Sequence, residues 1–437
     1  MKSRRIVFST FGSFGDVHPY VAVALELKAR GHHPVIATSE IYREKAEALG
    51  IEHHPVRPVV PSYDEPDEIA PLIEKVMDAR TGTEEVLNTF LLPHLRDIYD
   101  DLSAAVRGAD LLVTHPLSMP GIIVVEKTGV PWVSSVLAPG SMLSVYDPPV
   151  PPQLPALHSL MTFHTLISRA VMRLGRWKTA SLAQALNSLR ADVGLPPSSA
   201  HPLFEGQHSP RLVLALFSRV LAEPQPDWPP HTRITGFPFY DRRDFGGDRE
   251  DDDAGGGLSS ELRRFLDAGE PPVVFTLGSS AIWVARDFYR ESVAAARALG
   301  QRALLLIGHA RNRLAEPLPE GVAAFEYAPY GELLPRARAV VHQGGVGTTG
   351  QTLRSGRPAL VVPFSHDQFD NGARVARLGC GRMLARTKYN AASATRELRA
   401  ILSDESYKTM AREVGWRVQA EDGTRAASDA IEEVLNG

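Results

Sequence analysis

Cysteine is nearly missing from this chain of 437 residues. Its one cysteine, Cys380, excludes an intrachain disulfide and a multi-cysteine zinc site, which suits a reducing compartment and predicts a cytoplasmic location. Long apolar runs are missing too. None approaches the ~20 residues that span a bilayer, so no integral membrane association is expected. Met1-Lys-Ser-Arg-Arg5 has the charge of a signal-peptide start, but the apolar stretch behind it ends at Gly12 and Asp16, too soon for a signal core. Charge of one sign is also scarce: 47 Lys and Arg face 51 Asp and Glu, a net charge of −4 that gives no reason to expect nucleic acid as a partner.

What is present is an alternation of short apolar strands and helices, twice over. Arg5–Ser9, Pro34–Thr38, Asp110–Thr114, Pro131–Val136 and Arg211–Phe217 read as buried strands, with a helix from Val21 to Arg30 and another through Val124. A second series follows at Pro272–Leu277, Ala303–Ile307, Ala323–Phe325, Ala339–Val341 and Ala359–Val362, with a helix from about Asp287. Strands separated by helices predict parallel sheets built from right-handed crossovers. Between the series, residues 157–186 read as a long helix with Leu160, Phe163, Leu166, Ile167, Val171 and Leu174 toward the core and Arg169, Arg173, Arg176 and Lys178 outside. Residues 224–238 are rich in proline, and 248–257 are acidic and glycine-rich. The Asp251-Asp-Asp253 run reads as solvated charge, not as a metal site.

His342-Gln-Gly-Gly-Val-Gly-Thr-Thr-Gly350 is the most informative segment. It follows an apolar strand, turns on glycines and opens a helix at about Thr348, so free N–H groups and a helix dipole converge on one place. A diphosphate suits that place, and His342 adds a side-chain donor. One strand later, Asp367 and Gln368 in Pro363-Phe-Ser-His-Asp-Gln-Phe-Asp-Asn371 offer an acceptor pair for sugar hydroxyls. These two elements together resemble the donor signature of the family 1 glycosyltransferases, which move sugars from UDP- or dTDP-sugars to small acceptors. The resemblance implies a GT-B architecture, two doubly wound Rossmann-like domains facing across a cleft, with the last helix returning to the first domain. It places the diphosphate on His342, Gly344, Gly345, Val346, Gly347 and Thr348 with the Gly278-Ser279-Ser280 turn, the sugar on Asp367 and Gln368, and the base near Tyr327 and Tyr330. In relatives that grip both ribose hydroxyls a Glu stands eight residues after the first His. Here that residue is Gly350, which leaves dTDP-sugars open beside UDP-sugars.

Gly12-Ser-Phe-Gly-Asp-Val-His-Pro19 follows the first strand without the G-x-G-x-x-G spacing of a dinucleotide fingerprint. Its Gly15-Asp16 pair resembles the N-terminal loop of bacterial sterol and glycopeptide glycosyltransferases. Macrolide and plant relatives have a His in place of Asp16. A helix-start carboxylate is expected to keep a low pKa, which makes Asp16 a weak base. His115, at another strand end, and His18 are the other candidates, and Asp16 orienting His115 is the exchanged form of the His–acid pair seen in relatives. The resulting expectation is an inverting, metal-independent transferase moving glucose, rhamnose or a similar hexose or deoxyhexose to a hydroxyl of a small apolar acceptor such as a polyphenol, macrolide or sterol. No cofactor beyond the nucleotide sugar is expected, and the chain would be a monomer or homodimer. Residues 139–177 are expected to wall the acceptor pocket. The domains would run over residues 1–237 and 259–410, joined by 238–258 and closed by C-terminal helices 411–437. A sugar-nucleotide epimerase, or a non-catalytic auxiliary protein of a partner transferase, are the alternatives.

Overall fold

The computed structural model describes residues 2–241, 257–315 and 317–437. The acidic, glycine-rich stretch, including Asp251–Asp253, lies outside the described residues except for Gly257. The chain divides into two compact units. One comprises residues up to Pro71, Arg80–Tyr240 and Glu421–Gly437; the other comprises Leu72–Ala79 and Asp241–Ala420.

In the first unit, β1 (Arg5–Ser9), β2 (His33–Thr38), β3 (Glu52–Pro55), β4 (Leu111–Thr114), β5 (Trp132–Val136), β6 (Val213–Ala215) and β7 (Thr232–Ile234) form one sheet in the order β3-β2-β1-β4-β5-β6-β7. In the second, β8 (Val273–Thr276), β9 (Ala303–Leu306), β10 (Val322–Phe325), β11 (Ala339–His342), β12 (Ala359–Val361) and β13 (Gly381–Met383) take the order β10-β9-β8-β11-β12-β13. Every pairing is parallel, with registers such as Val7 opposite Leu112 and Val341 opposite Phe275. Central strands covered on both faces must be apolar throughout, which is why Ile6, Val7 and Phe8 or Val273, Val274 and Phe275 run consecutively.

Three strands have no counterpart in the sequence expectations: β3, β7 and β13. All are sheet edges of three or four residues, and β7 falls inside the stretch that reads as a proline-rich linker. Sequences such as Thr-Arg-Ile leave too little periodicity to register.

Each sheet order reverses once, between β1 and β4 and between β8 and β11. Crossovers leave such a pair in opposite directions and open a crevice at the carboxyl ends of those strands. The segments emerging there are 10–16 and 115–119 in the first unit, and 277–280 and 343–348 in the second.

Helix α1 (Phe14–Ala29) starts seven residues before the expected Val21. Ser13 caps it, and Pro19 is carried inside rather than stopping it. Helix α2 (Gly121–Thr128) follows β4. The expected long helix is three: α3 (Leu157–Phe163), α4 (Thr165–Lys178) and α5 (Ala180–Asp192), interrupted at His164 and Thr179. The expected core face is overturned, since Leu160, Phe163, Leu166 and Leu174 are 55, 85, 63 and 52% exposed. Leu182, Leu186 and Leu189 of α5 occupy the core instead, beside Ile123, Val124 and Trp132. A periodicity marks a face but not the side on which the protein lies. In the second unit, α6 (Val346–Arg354) follows β11, α7 (Gln368–Arg377) follows β12, and α8 (Glu405–Gln419) precedes the chain's return to the first unit. The last helix, α9 (Gly423–Asn436), is tied there by Arg30 to Asp429 at 2.6 Å and to Glu432 at 2.7 Å.

Candidate active site

The second unit carries the phosphate-type turn. Gly344 adopts φ +91°, and a Cβ there would lie 2.7 Å from Val361 Cγ1 and 2.8 Å from the Gln368 carbonyl oxygen. Only glycine lets the chain leave β11 so tightly. His342, the last residue of β11, is fully buried. Its Nδ1 accepts the Gly344 N–H at 3.0 Å, and burial lowers its pKa to about 3. The ring is therefore neutral with its proton on Nε2, and that atom has no partner.

Helix α6 begins at Val346, two residues before the expected Thr348, so the N–H groups of Gly345, Val346, Gly347 and Thr348 are its open donors. Gly344 drops out of the expected run, because its N–H bonds to His342, and the next N–H after Thr348, that of Thr349, already bonds to the Gly345 carbonyl. Three further buried atoms lack partners: Gln343 Oε1, Thr349 Oγ1 and Asn371 Oδ1. Asn371 donates from Nδ2 to the Gly344 carbonyl at 2.9 Å and to Asp367 Oδ2 at 2.8 Å, which joins α7 to this turn. An unsatisfied buried polar group costs about 1–3 kcal/mol, so four gathered around one turn mark a place built for a polar ligand.

The expected acceptor pair needs correction. Gln368 Oε1 is taken by the Phe364 N–H at 2.8 Å and the Ser365 N–H at 3.2 Å. What Gln368 retains for a ligand is its NH2, a donor. Beside it, His366 has φ +53°, a left-handed strain that shapes the turn bringing Asp367 to the start of α7. Gly278, Ser279 and Ser280 follow β8 at half-buried positions. Tyr330 is a brace: its hydroxyl bonds Thr276 Oγ1 at 2.8 Å, linking the 330 turn to β8, and burial raises its pKa. Tyr327 has the more accessible ring, 43% exposed. Gln351, beside the Gly350 position, is held by Asp241 at 2.6 Å and by Arg354 at 2.8 Å.

In the first unit, Asp16 sits in the first turn of α1 with Gly15. Its Oδ2 accepts from the Ser13 N–H at 2.8 Å and the Ser13 hydroxyl at 3.2 Å. The expected low pKa is overturned: burial raises it to about 6, outweighing both Ser13 donors and the helix start. His115 Nε2 stands 3.8 Å from Asp16 Oδ1, so the chain brings the two candidates together. Its Nδ1 accepts the Leu117 N–H at 3.1 Å, and burial lowers its pKa to about 3, leaving a neutral ring whose Nε2–H faces the carboxylate. Nδ1 is thus occupied while Nε2 stands beyond hydrogen-bond distance of the carboxylate, and Tyr20 stands edge-on to the ring at 6.3 Å. His18 is engaged elsewhere, its Nε2 receiving the Lys45 ammonium at 2.6 Å and its ring lying beside Tyr240.

His115 also forms a wall of a cavity of about 280 Å³ with Met119, Ile122, Trp132 and Leu186. Residues 139–177, expected to wall the acceptor pocket, do not line it. Sequence reasoning missed Gln343, Thr349 and Asn371 as side chains of the site. Asn371 had a signal, standing four residues after Asp367 and hence on the same helical face. Among the described residues, no group of three or more His, Cys, Asp or Glu is placed to hold a metal ion, and no helix is long and apolar enough to cross a membrane.

Comparison with known proteins agrees with this arrangement. Residues 6–146 match the glycosyltransferase family 28 N-terminal domain, and residues 292–430 match the erythromycin biosynthesis protein CIII-like, C-terminal domain. The O-mycaminosyltylonolide 6-deoxyallosyltransferase of Streptomyces fradiae is 32% identical over 443 residues, 98% of this chain and 97% of that protein. A sterol 3-beta-glucosyltransferase of Neosartorya fischeri is 29% identical over 440 residues, 98% of this chain but 29% of that longer protein. The solved structure of the glycosyltransferase VinC in complex with dTDP superposes with a TM-score of 0.66 at 18% identity, covering 99% of this chain and 100% of that one, a likeness of fold. Two parallel-sheet α/β domains, the matches to two glycosyltransferase domain models and near-complete coverage of a glycosyltransferase relative make this chain a glycosyltransferase of the GT-B fold, a member of the family 1-like enzymes.

Proposed function

We propose that the chain catalyses inverting, metal-independent transfer of a hexose or deoxyhexose from a UDP- or dTDP-sugar to a hydroxyl of a small apolar acceptor. The observation that carries the donor half is the group of four unpartnered buried atoms around the Gly344 turn, His342 Nε2, Gln343 Oε1, Thr349 Oγ1 and Asn371 Oδ1. Together with the open N–H groups of α6 they supply what a sugar diphosphate needs: imidazole and helix N–H donors for phosphate oxygens, and side-chain oxygens for hydroxyls. A 6-deoxyallosyltransferase and a 3-beta-glucosyltransferase among the relatives support both deoxyhexose and hexose donors.

In this reading the Asp16 carboxylate takes the proton of the acceptor hydroxyl. The freed oxygen forms a bond to the anomeric carbon from the face opposite the leaving group. The bond from that carbon to the diphosphate oxygen breaks, its electron pair leaves with the diphosphate, and the anomeric configuration inverts. His342 and the N–H groups of Gly345–Thr348 receive the growing negative charge. A carboxylate with a pKa near 6 is a better base than one near 4 and is still mostly ionised at neutral pH. The His115 Nε2–H steadies the charged form, a positioning role. The sterol named for one relative supports an apolar acceptor.

The test is a thermal-shift screen with UDP, dTDP and GDP, followed by mass spectrometry of products on phenolic and sterol acceptors. Stabilisation by UDP or dTDP and a product heavier by one hexose or deoxyhexose is expected. A donor sugar that is epimerised without transfer, or no response to any nucleotide, would overturn the reading.

A further inference from the structure

Six of the eleven large hydrophobic side chains exposed among the described residues lie in one stretch: Leu154, Leu160, Phe163, Leu166, Leu174 and Trp177, between 52 and 85% accessible. They belong to α3, α4 and the turn before them. At ~100° per residue, the exposed face of α4 runs in the order Arg169, Arg173, Leu166, Trp177, Ala170, Leu174, Lys178 across about half the helix circumference. The apolar residues hold the middle of that face and the cations its two margins.

Charge repeats the pattern. From residue 148 to 191 the chain contains no Asp or Glu, although it carries 51 in all, while Arg169, Arg173, Arg176, Lys178 and Arg190 fall in that interval. Acid from other elements meets only part of this charge: Glu205 pairs with Arg176, and Glu126 with Arg190. Arg169, Arg173 and Lys178 are left exposed around the apolar strip.

We infer that α3 and α4 form a surface that lies on an anionic lipid bilayer, with Phe163, Leu166, Leu174 and Trp177 entering the headgroup region and Arg169, Arg173 and Lys178 meeting the lipid phosphates. An apolar strip flanked by cations, with an aromatic ring at the interface, is the pattern of a helix lying in a membrane surface. A cation-rich and acid-free segment in a chain of net negative charge selects an anionic partner. The strip is a convex helix face, which suits a fluid bilayer. This surface is separate from the residues assigned to donor and base, so it holds whatever the acceptor is.

The experiment is flotation of the full chain with vesicles of phosphatidylcholine, with and without about one third phosphatidylglycerol, at low and high salt. Binding to the anionic vesicles only, weakened by salt, is expected. Arg169→Gln with Arg173→Gln should lower partitioning by about 25-fold, from roughly 5-fold per arginine near an anionic surface. Phe163→Ser with Trp177→Ser should lower it at least as much, while melting temperature and nucleotide binding stay at the parent values. Absence of anionic-vesicle binding, or binding indifferent to both double variants, overturns the inference. Self-association in sedimentation velocity that the same substitutions abolish, without any vesicle binding, also overturns it and assigns the face to a second copy of the chain.

Discussion

Replacing Asp16 by Asn separates the roles assigned to this carboxyl. Asn keeps an oxygen that can accept the Ser13 N–H, now at 2.8 Å from Oδ2, but it cannot ionise or take a proton. With a pKa of about 6, Asp16 is ~90% ionised at pH 7 and ~10% at pH 5. The parent enzyme should therefore show an acid limb near pH 6 in kcat/KM, falling about tenfold per pH unit below it. Asp16→Asn should remove that limb and lower transfer by at least ~10²-fold. Stability should move the opposite way. The folded-state pKa lies above the reference value of 3.8, so the native chain holds this proton more tightly than the unfolded chain does. The cost of this half-buried charge is absent below about pH 3.8, grows between there and pH 6, and persists at higher pH. Asp16→Asn should accordingly melt above the parent at pH 7.5, with the advantage shrinking toward pH 4. Initial rates from pH 5 to 8 on a confirmed acceptor, with calorimetry at the same pH values, check both effects. An acid limb near pH 4 would contradict the raised pKa, and near-parental transfer by Asp16→Asn would refute the assignment of Asp16 as base.

Other outcomes follow from the donor turn. His342→Ala should weaken UDP or dTDP binding by about 10–100-fold in titration calorimetry, the worth of one hydrogen bond to an anion; unchanged affinity contradicts its diphosphate role. Asp367→Ala should slow turnover of the full sugar nucleotide while leaving affinity for the free nucleotide nearly intact, and equal losses of both would remove it from the sugar. Gln368→Ala strips the acceptor from the Phe364 and Ser365 N–H groups, so urea denaturation should show a loss of about 1–3 kcal/mol even without substrate. Gly344→Ala forces a side chain into a left-handed position against Val361 and should cost about 1–3 kcal/mol, whereas a Cβ at Gly347 meets nothing within 4 Å and Gly347→Ala should fold like the parent. Equal destabilisation by the two glycine substitutions would contradict the geometry of the turn.

The sequence by itself determined the strands that lie inside the sheets, because consecutive apolar residues such as Ile6-Val-Phe8 or Val340-Val341 have no other stable place in a soluble fold. It also determined the strand-to-helix turn at Gly344, since glycines after a strand and before a helix leave the same N–H groups open wherever they occur. Three of the four edge strands were illegible, because Glu52–Pro55, Thr232–Ile234 and Gly381–Met383 are held by a neighbouring strand and not by their own pattern; the apolar Val322–Phe325 was the exception. The tertiary structure alone decided the chemistry of single atoms. Asp16 reads as a helix-start carboxylate with a low pKa, and burial makes it a group near 6. His115 reads as a base candidate, and burial keeps its ring neutral while the Leu117 N–H occupies its Nδ1. Gln368 reads as an acceptor, and two backbone N–H groups consume its oxygen. The helical period of residues 157–178 likewise showed an apolar face, while the fold leaves Leu160, Phe163, Leu166 and Leu174 of that face exposed and Ile167 and Val171 half-buried. Local backbone geometry follows from residue type and spacing, whereas desolvation, side-chain hydrogen-bond occupancy and the direction of a face depend on how the folded chain packs, whether the neighbour is near in sequence, as Ser365 is to Gln368, or distant, as Asp16 is to His115.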